Sequence, residues 1–143
     1  MTLLSENETH NIIGVCIHVH KKLGCDFLEY VYQEALEKEF LMQTILHSRH
    51  KQLHILFDGK PLDKFFVADF VCYDIIILEI KAAFFLHQSN SDQVINYLKA
   101  TGFVVGLLVN FRESSLKLKQ FIHTPPKSVK SGLIRVIHHT YKK

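Results

Sequence analysis

The sequence predicts a single α/β domain in which helices flank a mixed central β-sheet. Its 143 residues are enough for one domain with a hydrophobic core and too few for two. Helical spacing of apolar residues dominates the N-terminal third, and short extended runs with one further helical pattern follow it. The order helix, helix, strands, helix, strand, strand is typical of a mixed sheet, in an α/β or α+β arrangement.

Two helices are predicted to open the fold as a hairpin. Apolar residues over 8–23 recur at a spacing of three and four, which predicts a first helix that ends at Gly24. A second helix is expected to begin after Asp26. Its buried stripe is predicted to contain Leu28, Val31, Ala35, Leu36 and Phe40.

Extended runs follow the helical hairpin. Residues 51–57, 65–71 and 75–81 are predicted strands, and Asp58-Gly59 is a turn between the first two. These runs are short and rich in β-branched and aromatic residues, as strands are. We therefore expect at least three neighbouring strands in this part of the chain.

The second half contains one more helix and two more strands. A helix is predicted over 91–101 and closed by Gly102. Residues 103–111 are nearly all apolar, as in a strand that is buried on both faces. Residues 116–121 alternate between apolar and lysine side chains, which predicts a half-buried strand.

The C-terminal part of the chain is basic. Residues 1–113 hold ten Lys/Arg against fourteen Asp/Glu, whereas residues 114–143 hold seven Lys/Arg and no acid. Pro125-Pro126 interrupts strand or helix, so we expect a domain over 1–124 and an extension over 125–143. In the extension Leu133, Val136, Ile137 and Tyr141 share a helical face, which predicts a short helix. This basic segment either steers a polyanion towards the domain or is a solvated tail.

Several functional classes lack support in the sequence. The apolar runs are far shorter than a membrane span, and the N-terminus is acidic rather than signal-like, so we expect no membrane association. The cysteines at positions 16, 25 and 72 fit neither a disulfide framework nor paired zinc ligands, which favours a reducing, cytoplasmic location. No phosphate-binding or dinucleotide-binding glycine motif and no HExxH or GxSxG motif is found.

Three charged residues stand in an otherwise apolar pair of strands. Asp69 lies in the first strand, and Glu79 and Lys81 share one face of the next. In an antiparallel hairpin, Asp69 faces Glu79 only if the connecting loop has an odd number of residues centred on Asp74, or if a bulge intervenes. A two-residue loop at Tyr73-Asp74 would send Asp69 to the opposite face.

Two carboxylates on neighbouring strands are suitable ligands for a hard divalent cation. Mg²⁺, or Mn²⁺ in its place, binds through one or two carboxylates and completes its shell with water and substrate phosphate. A lysine two residues from one ligand would lie beside that water and beside charge developing on a phosphate. The alternative is an ion pair between Lys81 and either acid at a strand end.

A set of short segments matches a known family pattern in order and spacing. The segments are VHKKLG (19–24), FLEYVYQEAL (27–36), ADF (68–70), LEIKA (78–82) and QVINYLKATG (93–102), followed by VGLLVNF and SLKLK. Through them, from Ile12 to Ile122, the chain resembles the GxxExxY protein family of the PD-(D/E)XK nuclease superfamily. The resemblance implies a restriction-endonuclease-like core. Asp26 stands where the family motif has glycine, and Ala68 replaces the proline of the superfamily motif.

The resemblance also implies roles for individual residues. Asp69 and Glu79 would be metal ligands and Lys81 the catalytic lysine. Glu29 would correspond to the acid of the superfamily's first helix, as a further metal ligand. Gln93 and Tyr97 would form the QxxxY element of the recombination-nuclease branch.

Each of the helical site residues has a structural alternative. Asp26 and Glu29 also fit a capping box at the start of the second helix. Gln93 and Tyr97 are four residues apart, so their side chains also suit an ordinary polar contact on one helix face. Tyr32 is expected to be a partly buried aromatic residue with a satisfied hydroxyl.

Two hypotheses for function follow. The first is a magnesium-dependent nuclease that hydrolyses phosphodiester bonds of nucleic acid, with DNA the favoured substrate. The second is a module that keeps the nuclease fold, with weak or no turnover, and binds nucleic acid or protein. Because no sequence-reading element is evident, a homodimer or a partner is one way for so small a domain to grip a duplex.

Overall fold

The computed structural model describes residues 3–124 and 133–142. Its elements in chain order are α1 (Leu3–Leu23), α2 (Glu29–Met42), β1 (His47–Phe57), β2 (Lys60–Cys72), β3 (Ile76–Lys81), α3 (Gln88–Thr101), β4 (Val105–Asn110), β5 (Leu116–Thr124) and β6 (Leu133–Tyr141). The predicted α/β class is confirmed. Within these described ranges no helix is long and apolar enough to cross a membrane.

The six strands form one mixed sheet in the order β1-β2-β3-β4-β5-β6. β3 and β4 pair in parallel, and every other neighbouring pair is antiparallel. A parallel pair needs a crossover connection, and α3 provides it between β3 and β4. As predicted, β4 is buried at all six of its positions.

Helices cover both faces of the sheet. α1 and α2 lie on one face, where Tyr32 and Phe40 join a core with Leu78 and Ile80 of β3. α3 lies on the other face, where Val94, Leu98, Ile77 and Leu108 form a second core. Odd and even positions of β3 therefore face different helix layers.

The hairpin of β1 and β2 is longer than the predicted strands. Asp58 and Gly59 have φ angles of 50° and 76°, which suit a tight two-residue hairpin turn. Strand pairing begins directly beside this turn, at Phe57 and Lys60. β1 forms one edge of the sheet.

The segment after the proline pair differs from its prediction. Residues 133–141 form β6, which pairs antiparallel with β5 from Thr124–Leu133 to Leu116–Tyr141. The predicted helix is wrong for this segment because its β-branched residues favour a strand and the edge of β5 supplies unpaired backbone groups. The proline pair lies outside the described residues, and a domain boundary at residue 124 stays a prediction.

Candidate active site

The connection between β2 and β3 decides which side chains meet. Three residues, 73–75, join the strands, and Tyr73 and Asp74 adopt left-handed backbone conformations with φ of 55° and 59°. Phe70 pairs with Leu78 and Cys72 with Ile76. This is the register that the odd-length loop predicted.

Asp69 and Glu79 are held together where this strand pairing ends. The Asp69 backbone N–H donates a hydrogen bond of 3.0 Å to Glu79 Oε1. The Ile80 backbone N–H donates one of 2.8 Å to Asp69 Oδ2. Each carboxylate is thus fixed by the main chain of the opposite strand, and the two acids share one face of the sheet.

Burial makes the charge on this pair costly. Glu79 is only 3% exposed, whereas Asp69 is half-buried. Burial raises the pKa of the Glu79 carboxyl, and the neighbouring charge of Asp69 raises it further. A pair of carboxylates in this position therefore favours a bound cation or a retained proton.

Lys81 lies two residues beyond Glu79, at the end of β3. Its carbonyl accepts a hydrogen bond of 2.9 Å from the Phe111 N–H, and its backbone pairs with Asn110 of β4. Its charge lowers the pKa of Glu79, so its ammonium lies within electrostatic reach of this carboxyl. The close ion pairs among residues 3–124 and 133–142 do not include Lys81, so the alternative of a structural ion pair is not realised.

Glu29 approaches the same strand end from the helical layer. It is the first residue of α2, and the pKa of its half-buried carboxyl is raised by burial. Lys81 and a hydrogen bond from the Ala82 backbone lower that pKa, whereas Asp69 raises it. The capping-box alternative is not realised, because the N-cap of α2 is Leu28 and no side chain caps the helix.

The three acids do not form one compact cluster. In the described part of the chain, no group of three or more His, Cys, Asp or Glu side chains is close enough to hold a metal ion. Asp69 and Glu79 remain a two-carboxylate set of hard oxygen donors, which suits Mg²⁺ because this ion takes one or two carboxylates and keeps several waters. Glu29 lies at the margin of this set.

Tyr97 of α3 lies within electrostatic reach of the acid pair, and Gln93 of the same helix acts on the Tyr97 hydroxyl. The Tyr97 ring is buried against Phe66, and its hydroxyl donates a hydrogen bond of 3.3 Å to the Val67 carbonyl. Burial raises the pKa of Tyr97 to about 12, with smaller contributions from the charges of Glu79 and Asp69, while Gln93 lowers it. The hydroxyl bond ties α3 to β2 beside the acids.

Tyr32 has the structural role expected of it. Its hydroxyl donates a hydrogen bond of 2.7 Å to the Gly24 carbonyl and accepts one of 3.3 Å from the Phe27 N–H. Its ring stacks on Phe111 at 4.6 Å. Tyr32 thereby fixes the loop that leads into α2 and so the position of Glu29.

Asn110 is a further residue at this edge, and the sequence motifs do not single it out. Its fully buried side chain accepts a hydrogen bond of 3.1 Å from the Ala83 N–H and donates one of 2.8 Å to the Ala83 carbonyl. This pair of bonds fixes the start of the loop that follows Lys81. The available signal was a lone amide at the end of the apolar run VGLLV.

Comparison with known proteins identifies the fold family. A family model of the PD-(D/E)XK nuclease superfamily matches residues 6–121, and the chain belongs to this superfamily. No curated protein and no solved structure matches the chain. Nucleases of this superfamily generally use divalent metals and act on nucleic acid. Membership of the narrower GxxExxY family stays a prediction.

Proposed function

We propose that this protein is a magnesium-dependent nuclease that hydrolyses phosphodiester bonds, with DNA as its substrate. The observation that carries the proposal is the facing pair of Asp69 and Glu79, each fixed by a backbone N–H of the other strand. Burying two like charges together is unfavourable unless a cation compensates them. Membership of a nuclease superfamily supports the same conclusion.

Asp69 and Glu79 would hold the cation, Mg²⁺ or Mn²⁺. When bound, the ion supplies a Lewis acid for the scissile phosphate and acidifies a nearby water. The hydrogen bonds at Glu79 Oε1 and Asp69 Oδ2 keep both side chains in fixed rotamers, so little ordering is needed when the ion binds. Glu29, at the margin of the pair, would act on a second ion or on a water.

Lys81 would supply positive charge at the reacting phosphate. Its side chain leaves β3 on the same face as Glu79, and no acid among the described residues ties it down in a close ion pair. Its ammonium group would orient the nucleophilic water and stabilise negative charge that develops in the transition state. Gln93 would position a phosphate or that water, and Tyr97 would position α3 and Gln93.

The test is cleavage by three variants purified in parallel with the wild type. Lys81→Ala should retain metal binding and lose about two to three orders of magnitude in rate. Asp69→Asn should weaken metal binding and recover part of its rate at high Mn²⁺ concentration. Asp74→Asn, in the loop of the same hairpin, is the matched control and should behave as the wild type.

The assay uses single-stranded and double-stranded DNA and RNA, each with Mg²⁺, with Mn²⁺ and with EDTA. Absence of metal-dependent cleavage of all four substrates would contradict the proposal, as would full activity of Lys81→Ala. The competing hypothesis, a binding module with the nuclease fold, expects partner binding that Asp69→Ala does not alter.

A further inference from the structure

A groove lies beside the candidate active site, between the loop that follows β3 and the outer strands β5 and β6. It has a volume of about 270 Å³. Its lining includes Phe85, Leu86, Lys117, Lys119, His138 and Thr140. We call it the β5–β6 groove.

Strand register connects this groove to the active site. Glu79 pairs with Leu108, which pairs with Lys119, so these three side chains share one face of the sheet. Two residues further along the strands, Lys81 pairs with Asn110, which pairs with Lys117. β3 and β5 are separated by two strand spacings of about 4.8 Å each. The backbones of Lys117 and Lys119 therefore lie on the order of 10 Å from those of Lys81 and Glu79.

Two lysines give the groove positive charge, and their contacts within the protein compensate that charge only in part. Lys119 donates a hydrogen bond of 3.2 Å from its ammonium to Ser91 Oγ, which belongs to a neutral group. Lys117 lies 3.1 Å from Glu113, the acid that lines the groove, and half of its side chain is exposed. The Glu113 carboxylate also accepts a hydrogen bond from Asn110.

Two exposed phenylalanines lie next to each other in the loop between β3 and α3, and Phe85 lines the groove. Phe84 is 77% exposed and Phe85 65%, although large apolar side chains are normally buried. The Arg112 guanidinium lies 4.5 Å from the centre of the Phe84 ring. Because Asn110 fixes Ala83, this aromatic pair is presented from an anchored loop.

We propose that the β5–β6 groove binds a single-stranded segment of the nucleic acid and leads it to Asp69 and Glu79. Lys117 and Lys119 contact its phosphates, and unpaired bases stack on Phe84 and Phe85. A basic groove with exposed aromatic rings is the usual arrangement for binding single strands, since base faces are accessible only when a strand is unpaired. The inference rests on the proposed nuclease function and specifies its substrate class.

The test measures binding separately from cleavage. A fluorescein-labelled 15-nucleotide single strand and the matching duplex are titrated in EDTA, where metal-dependent cleavage is stopped, and fluorescence anisotropy gives each Kd at several salt concentrations. Phe85→Ala should weaken single-strand binding about five- to tenfold or more. Lys117→Gln should weaken it and reduce the slope of log affinity against log salt by about 0.7.

Matched controls come from the opposite edge of the sheet. Phe57 has the same exposed fraction as Phe85, 65%, and Lys51 is an exposed lysine of β1. Phe57→Ala and Lys51→Gln should therefore leave both Kd values and the salt slope unchanged. Circular dichroism and thermal unfolding verify that all four variants are folded.

Several results would overturn the groove proposal. One is that Phe85→Ala and Lys117→Gln both bind the single strand with the wild-type Kd, and another is that the two control variants lose as much affinity as they do. The proposal also fails if the wild type prefers the duplex, or if polyglutamate competes as strongly as unlabelled single strand. Single-strand binding that needs Phe85 and Lys117, in a protein that cleaves nothing when Mg²⁺ or Mn²⁺ is added, would support the groove and refute the nuclease.

Discussion

At the scale of single residues, the acid pair lowers stability unless a cation or a proton compensates its charge. Asp69 and Glu79 each accept a backbone hydrogen bond from the opposite strand, so neither side chain is free to turn away from the other. Glu79 is nearly fully buried, and like charges at short range raise the free energy of the folded state. Functional sites commonly carry such a local cost in stability.

Replacing the buried acid should therefore stabilise the metal-free protein. The pKa of Glu79 is raised in the folded state from its ordinary value of 4.5, so wild-type stability falls as the pH rises above about 4.5, until the folded carboxyl also ionises. Glu79→Gln removes this loss and keeps an oxygen that accepts the Asp69 N–H. We expect a gain of about 1–3 kcal/mol at pH 8 in EDTA and a much smaller gain near pH 4.

Urea unfolding at both pH values measures this difference. Glu34→Gln, at an exposed position of α2, is the control and should change little. Added Mn²⁺ should stabilise the wild type more than Glu79→Gln. A variant that is less stable than the wild type at pH 8 in EDTA would contradict the account of the acid pair.

At the scale of the elements, the entry into α2 depends on one buried hydroxyl. Tyr32 bonds to Gly24 and Phe27 and so holds the loop that leads into α2, a helix that no side chain caps. Tyr32→Phe keeps the ring stacked on Phe111 and leaves the Gly24 carbonyl without this donor. We expect a loss of about 1–2 kcal/mol in the free energy of unfolding.

Tyr30→Phe is the matched control, because Tyr30 is 65% exposed and belongs to the same turn of helix. Denaturant unfolding of both variants provides the comparison. If the two substitutions lower the free energy of unfolding by the same amount, the hydroxyl of Tyr32 does not hold the loop.

The close packing of α3 on the sheet depends on a glycine, Gly106 of β4. A Cβ added to Gly106 in β4 would lie 2.5 Å from Val94 Cγ1, and the branched valine has little freedom to move. Gly106→Ala should therefore destabilise the protein by about 1–3 kcal/mol. Gly14, in α1, has open space around its position, so Gly14→Ala should stabilise the helix by up to about 1 kcal/mol.

Thermal unfolding of these two alanine variants should give shifts of opposite sign. The same substitution is made in both, so differences in side-chain chemistry do not enter. A shift of the same sign in both variants would contradict the close approach of α3 to β4.

At the scale of the whole molecule, the two described strands of the basic C-terminal region, β5 and β6, belong to the sheet. β6 pairs with the full length of β5, so a chain that ends at Thr124 loses a strand together with its cations. We expect this truncation to lower the unfolding temperature and to promote association through the exposed edge of β5. A chain that ends at Tyr141 removes Lys142 and Lys143 and keeps β6, so its unfolding temperature should match that of the full chain.

Thermal unfolding and size-exclusion chromatography compare the two truncated chains with the full one. If the chain that ends at Thr124 is as stable and as monodisperse as the full chain, β6 contributes nothing to the fold. Because this truncation removes a strand as well as charge, point variants such as Lys117→Gln are the cleaner way to measure electrostatic binding.

Much of this architecture could be predicted because the spacing of apolar residues and the positions of charged residues indicate which side chains are buried. The apolar runs predicted β3 and β4, and charged residues in such runs drew attention to Asp69, Glu79 and Lys81. The backbone hydrogen bonds that fix the two acids could not be predicted, because the length of the loop after Cys72 is a three-dimensional property that local pattern leaves open. β6 was mistaken for a helix because four apolar positions satisfy helical spacing, whereas pairing with a distant strand decides the conformation.

The three-residue connection between β2 and β3 has a consequence for mutational tolerance. Side chains alternate between the faces of a sheet, so what keeps Asp69 opposite Glu79 is the number of residues in the loop rather than their identity. Substitution of Asp74 keeps that number, whereas its deletion would slide one strand by a single position and turn Asp69 towards the layer of α1 and α2. A scan of deletions should therefore find this turn intolerant, although a substitution such as Asp74→Asn at its exposed position is accepted.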